Sequence, residues 1–405
     1  MQLFFLPLNL KINLMNPSAS GWILKLQTII SENSDFLNYR SADFYCSLKS
    51  AGFIYGSNIS AVKNIVEIKD LSNEELSKIN LFLTLQHVYI KSGSTVPILE
   101  SLINFYKEIK IYKLSFFGSL VNSKYSLNTL ERIIHKRVQI DDNILTRNFN
   151  YFIINALLFV DALAYHEYLT KGYISSDYVR KLEASIETIV LDVLNSKTFK
   201  TKHDQSLIKL LEASLRFSDS INITYEEAIN NLVTNYEKWY LLDIACMATW
   251  SDRIIDQKEQ QFLHKLGKDL KLEISTVNNA ITTVNAFYTK NKDNISLLSS
   301  SNIVKNFYDN SSKMISKLIS RNKKRLKKEL VQSKELVKLI GQSTIRDLSK
   351  EEQKQLQEQL IDVIKSIPSL AIFMLPGGAL LLPLFIKFIP KLLPSAFDDN
   401  RIDES

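Results

Sequence analysis

Proline placement is the strongest constraint on this chain. Five of its eight prolines, Pro368, Pro376, Pro383, Pro390 and Pro394, lie in the last forty residues. Proline removes a backbone donor and clashes with the preceding helical turn. A body almost free of it, with only ten glycines in 405 residues, can build long helices with short polar connections. The same scarcity disfavours a turn-rich β fold. The closing stretch, by contrast, carries prolines that would kink or break a helix, so a broken segment is as open there as a straight one.

Hydrophobic spacing agrees with an all-α body. INLFLTLQHVYIKSG (79–93) and ILESLINFYKEIKIYKL (98–114) repeat apolar residues three and four apart, the signature of a helix with one buried face. NYFIINALLFVDALAYHEYLTKG (150–172) is nearly all apolar but carries Asn155, Asp161 and His166. It reads as a buried central helix, with Gly172 as its C-terminal stop. Three segments, 157–186, 207–233 and 241–267, share an apolar helix, a polar turn with an Ile and an acidic second helix. Such self-similarity suggests stacked helical hairpins.

Charge and composition divide the chain further. Residues 289–312 are rich in Asn and Ser and read as a linker. Lys313 to Lys328 then holds eight basic residues and no acid. Leu318, Leu326, Leu330, Val337 and Ile340 are expected to form one apolar stripe beneath it. The expected divisions are a 1–14 upstream extension before Met15, a 15–200 helical domain, a 201–288 helical domain, the linker, a 313–397 membrane-related region and a 398–405 acidic tail. Cys46 and Cys246 read as buried free thiols in a reducing compartment. The five histidines have no metal-ligand spacing, and no phosphate loop or nucleophile elbow is present; the expectation is a protein that is not an enzyme.

The end of the chain carries the most specific pattern. Ser349 and Glu352 form an S-x-x-E capping box opening a charged helix. That helix runs into twenty uncharged residues, Ile367 to Ile386, about the length that spans a bilayer core. Pro368, Pro376, Gly377, Gly378 and Pro383 interrupt the run, so a broken span, an intramembrane hairpin or a segment packed on the body all remain open. Lys387 and Lys391 are placed to snorkel to headgroups. Lys323, Lys324, Arg325, Lys327 and Lys328 are candidates for contact with anionic lipid or RNA.

Two resemblances follow from these residues. Leu348, Ser349, Glu352, Asp362, Ile367 and Pro368, then Pro376, Leu382-Pro383, Lys387, Ile389-Pro390, Leu393-Pro394-Ser395 and Phe397, resemble the membrane motif of the leucine-zipper and EF-hand transmembrane (LETM) family. Bacterial chains of this build are similar to its LETM-related biofilm-associated type. The resemblance implies a bacterial inner-membrane protein with a cytoplasm-facing body. It also implies links to proton-coupled cation exchange or to ribosome binding. Ala379 stands where the family commonly has an acid, and the chain ends eight residues after Phe397; both features weigh towards a membrane-associated adaptor or accessory protein.

Second, Tyr240 to Leu266 resembles a TerB-like helical module. Asp252, Ile255 and Glu259 fall in its pattern, while Arg253 replaces a glycine. Structural capping by Asp256 and Glu259 is the favoured reading, with a weak divalent cation site at Asp252, Asp256 and Glu259 as the alternative. The partners expected are membrane lipid and a protein partner or second copy. The ribosome is a lesser expectation, and no small-molecule substrate is evident.

Overall fold

A computed structural model describes residues 15–66, 71–109, 126–138, 155–175, 177–196, 223–249, 257–291, 312, 315–343, 345–367, 370, 373 and 381–393. Every regular element among them is helical. The body comprises α1 (Trp22–Ser31), α2 (Ser34–Asn38), α3 (Ser41–Ala51), α4 (Asn73–Ser92), α5 (Ile98–Glu108), α6 (Leu127–Val138), α7 (Phe159–Lys171), α8 (Tyr178–Ser196), α9 (Tyr225–Asn230), α10 (Asn235–Thr249), α11 (Gln257–Asp269) and α12 (Ile274–Asn291). The C-terminal part adds helical turns at 315–321, then α13 (Lys323–Gln332), α14 (Lys334–Ser343), α15 (Lys350–Ser366) and α16 (Leu382–Leu392).

Two helices organise the body. Helix α4 is buried around most of its girth and packs on α2, α3, α6 and α7. Helix α8 presents Val179, Leu182, Ile186, Ile189, Val190 and Val193 to α7, α9, α10 and α11. Helices α7–α8 and α10–α11, from the first and third of the similar segments, each pack together as a hairpin; residues 207–222 of the second lie outside the described residues. One apolar cluster runs from Met15 to Tyr288, so helices on both sides of residue 200 share a core. Helix α12 continues to Asn291, three residues into the stretch read as a linker.

Polar groups inside the body are paired across helices. Asp161 on α7 receives Arg137 of α6 through Nε at 2.6 Å and through a second guanidinium nitrogen. Tyr106 of α5 donates to the same carboxylate at 3.0 Å. Asp243 on α10 accepts from Tyr45 at 2.8 Å and lies 3.4 Å from Lys49, both on α3. Glu131 of α6 accepts the backbone N–H groups of Gly21 and Ile23 at 3.1 Å, supplying the start of α1 with a cap from elsewhere in the chain. The expected stop at Gly172 is present, with φ +77°.

Gly52 ends α3 at φ +81°, and a Cβ there would lie 2.0 Å from the Ser57 carbonyl oxygen. This close turn seats Tyr55 against Phe287 and Tyr288 of α12. One sequence expectation fails here. Cys46 is exposed, not buried, because α3 turns Phe44, Tyr45, Ser47 and Leu48 inward. Cys246 is buried as expected.

Candidate functional site

The basic stretch and the terminal motif fold together into one small module. Leu318, Leu326, Leu330, Val337 and Ile340 do form a buried stripe. They meet Leu356, Leu360, Val363 and Ile364 of α15 and Leu382, Phe385 and Ile389 of α16 in a second apolar cluster, separate from that of the body.

Helix α15 begins where the sequence places it. The Ser349 hydroxyl accepts the Glu352 N–H at 3.2 Å, and Glu352 accepts the Ser349 N–H at 2.8 Å. Arg346 grips the same carboxylate at 2.6 and 2.8 Å. That guanidinium and the Ser349 N–H hold the Glu352 carboxyl at about 2. Leu348 is buried beside the cap. Asp362 stands apart on the exposed face, 3.1 Å from Lys365.

The uncharged run is not one helix. Helix α15 stops at Ser366, and Ile367 is extended at φ −119°, ψ 101°. Proline at position 368 explains this, since it excludes the residue before it from helical geometry. Leu370, Phe373 and Leu381 are buried in the module core, and the Phe373 and Phe385 rings meet edge-on at 4.7 Å. Helix α16 restarts at Leu382.

Pro383 sits in the first turn of α16, where its missing N–H costs nothing; it starts a helix rather than kinking one. Pro390 lies inside the last turns of the helix. At eleven residues, α16 is about 16 Å long, half a bilayer core. Among the described residues, no helix is long and apolar enough to cross a membrane.

The surface of the module is strongly basic. Between Lys313 and Leu393 the sequence has sixteen Lys and Arg against seven Asp and Glu, a net +9 that exceeds the +7 of the whole chain. Lys323, Lys324, Arg325 and Lys328 are exposed on α13, with Lys327 half-buried. On α16, Lys387 and Lys391 are exposed beside half-buried Leu384, Ile386 and Phe388. The arrangement offers cations and apolar edges together on a scaffold with its own core.

Arg321 departs from the expected solvated basic block. It reaches back to the body and clasps Glu75, a contact between residues 246 positions apart. A second Leu-Ser-x-x-Glu string, Leu71-Ser72-Asn73-Glu74-Glu75, marks Glu75 as a capping residue, but nothing local marks its partner.

Pro368, Pro376, Gly377, Gly378, Ala379, Pro394 and Phe397 lie outside the described residues, as do Asp252, Ile255 and Asp256. Glu259 is buried in the first turn of α11. No group of three or more potential metal ligands occurs among the described residues.

Comparison with known proteins singles out the same end of the chain. Residues 348–405 match the family described as LETM1-like, RBD. A stretch of 55 residues is 44% identical to the mitochondrial proton/calcium exchanger protein of Drosophila melanogaster. That match covers 14% of this chain and 5% of the relative's length. No solved structure matches the chain.

Proposed function

We propose that this chain is a membrane-associated, non-enzymatic adaptor of the LETM-related bacterial type. Its C-terminal module meets anionic lipid at the inner membrane, and its helical body faces the cytoplasm. There the body holds a protein partner or a second copy, in an envelope- or biofilm-related role. The observation that carries this reading is the concentration of the chain's entire positive excess on the module that bears the LETM-like motif. Lys323, Lys324, Arg325 and Lys328 sit on the exposed side of a helix whose other side is packed. Each basic residue near an anionic leaflet contributes about 1 kcal/mol. Helix α16, with Lys387 and Lys391 beside Leu384, Ile386 and Phe388, suits the headgroup boundary better than a straight crossing. Basic excess beside a membrane segment favours the cytoplasmic side.

Co-sedimentation with vesicles tests the reading. The full chain should pellet with phosphatidylglycerol-containing vesicles and remain largely in the supernatant with pure phosphatidylcholine. Replacing Lys323, Lys324, Arg325 and Lys328 with Gln should weaken binding at least tenfold. Equal binding to both vesicle types would remove the electrostatic basis of the proposal.

A second reading, participation in proton-coupled cation transport, is favoured by the similarity to the fruit-fly mitochondrial proton/calcium exchanger protein. Cation flux in reconstituted liposomes above that of empty vesicles would support it. Ribosome binding would draw on the same basic face, and would appear as salt-sensitive co-sedimentation lost in the same Gln variant.

A further inference from the structure

The body and the C-terminal module have separate apolar cores, and the hydrogen bonds that cross between them are strongly polar. Arg321 donates to the two carboxylate oxygens of Glu75 at 2.6 and 2.5 Å, and also to the Asn16 side-chain oxygen. Lys317 donates to the Leu71 carbonyl at 2.9 Å. On the body side, Glu75 is already the capping residue of α4, accepting the Ser72 N–H at 3.0 Å and the Ser18 hydroxyl at 2.6 Å. Its side chain is 2% exposed and that of Arg321 is 12% exposed. Burial pushes the Glu75 carboxyl up, but Arg321, Ser18 and Ser72 together outweigh it and hold the group below its ordinary value.

Such a seam differs physically from a continuous apolar core. Apolar contact between domains is lost only against the full cost of exposing it to water. An ion pair that has already been desolvated gains much less overall, because its Coulomb energy is spent against the water it gave up. Polar interfaces between domains are therefore the ones that open. Lys317 and Arg321 also belong to the same basic run as Lys323 to Lys328. While docked, both cations are committed to the body.

We propose that this seam is a releasable latch. Glu75, supported by Asn16, Ser18 and the Leu71 carbonyl, holds the module on the body through Arg321 and Lys317. An anionic lipid surface opens it by competing for those two cations. The trigger rests on the membrane reading above; the latch itself does not. Opening adds two cations to the lipid-facing set, each worth about fivefold in vesicle affinity.

The test is a distance measurement on the full chain. Spin labels are placed at Leu24→Cys on α1 and Ile345→Cys on the module, both exposed positions, in a Cys46→Ser background. The expected result without vesicles is one narrow distance distribution. Glu75→Gln and, separately, Arg321→Gln should broaden and lengthen it with helical content unchanged. Phosphatidylglycerol vesicles should do the same to the unsubstituted seam. The conservative Glu75→Asp and Arg321→Lys variants, which keep both charges, should widen the distribution less than the Gln variants.

A distribution that stays narrow in both Gln variants overturns the latch. Broadening in the variants without any vesicle binding overturns the membrane reading and leaves the latch standing. Opening by single-stranded RNA but not by anionic vesicles overturns the lipid trigger.

Discussion

His87 shows how much a single side chain inside the body is governed by its surroundings. It is buried on α4, its ring stacked 3.9 Å from Phe44 and edge-on to Phe36, with no hydrogen bond to either ring nitrogen among the described residues. Burial, helped by nearby Lys91, lowers its pKa to about 4. The unfolded chain takes up this proton near pH 6.5, while the folded chain refuses it until about pH 4. The contribution of this group is therefore complete above pH 6.5 and is lost as the pH falls towards 4. The full difference is about 3 kcal/mol. Urea denaturation at pH 7 and pH 4.5 should show a loss of about 2 kcal/mol attributable to this site, and His87→Phe should remove that part of the slope. A variant with the unchanged pH dependence would show that other groups carry it.

At the scale of elements, helices α4, α9 and α15 open on one grammar: Leu71-Ser72-x-Glu74-Glu75, Ile223-Thr224-x-Glu226-Glu227 and Leu348-Ser349-x-Glu351-Glu352. In each, the hydroxyl accepts the third N–H and the third residue's carboxylate returns to the cap. The surroundings then divide them. Glu227 stays at the surface, Glu352 is gripped by neighbouring Arg346, and Glu75 becomes the anchor for a cation from the far end of the chain. Replacing Ser349 with Ala should cost about 1 kcal/mol. The loss should appear as faster amide exchange in the first turns of α15, with exchange in α4 and α8 unchanged. Spread of the effect into the body would argue against two separate cores.

For the whole molecule, the separate core of the module changes how its membrane role can be tested. Cutting the chain after Ser366 removes Leu370, Phe373, Leu381, Leu382, Phe385 and Ile389 from that core. It would strip the apolar cover from Leu356, Leu360 and Ile364. We expect such a truncation to melt α13–α15 while the body keeps its cooperative transition, as calorimetry or amide exchange can show. A truncated chain whose α15 remains protected would mean that the module core does not depend on α16. Surface charge substitutions are accordingly the cleaner probe of lipid contact.

Much of the architecture was legible before any coordinates. The all-α class, the helical stop at Gly172, the apolar stripe from Leu318 to Ile340 and the cap at Ser349 all rest on interactions within about one helical turn, whereas the helix before Gly172 starts only at Phe159 and is buried only as far as Tyr165. Ile367 leaving the helix before Pro368 has the same local origin. How the apolar run is covered was the part left open, because hydrophobicity states that a surface must be covered and not by what.

The same limit explains what only the tertiary structure decided. Leu382, Phe385 and Ile389 carry no local sign of what covers them, and it is helices from earlier in the chain that meet them in the module core. Cys46 and Cys246 look alike in sequence, yet helix phase against distant neighbours exposes one and buries the other. Arg321 reads as one cation among eight until α4 delivers Glu75 to it across 246 residues. By itself the sequence determined where helices start, stop and turn their apolar faces, since those are short-range terms. Which faces meet, and which charges are thereby taken from solvent, is set by contacts distant in the chain that no local pattern records.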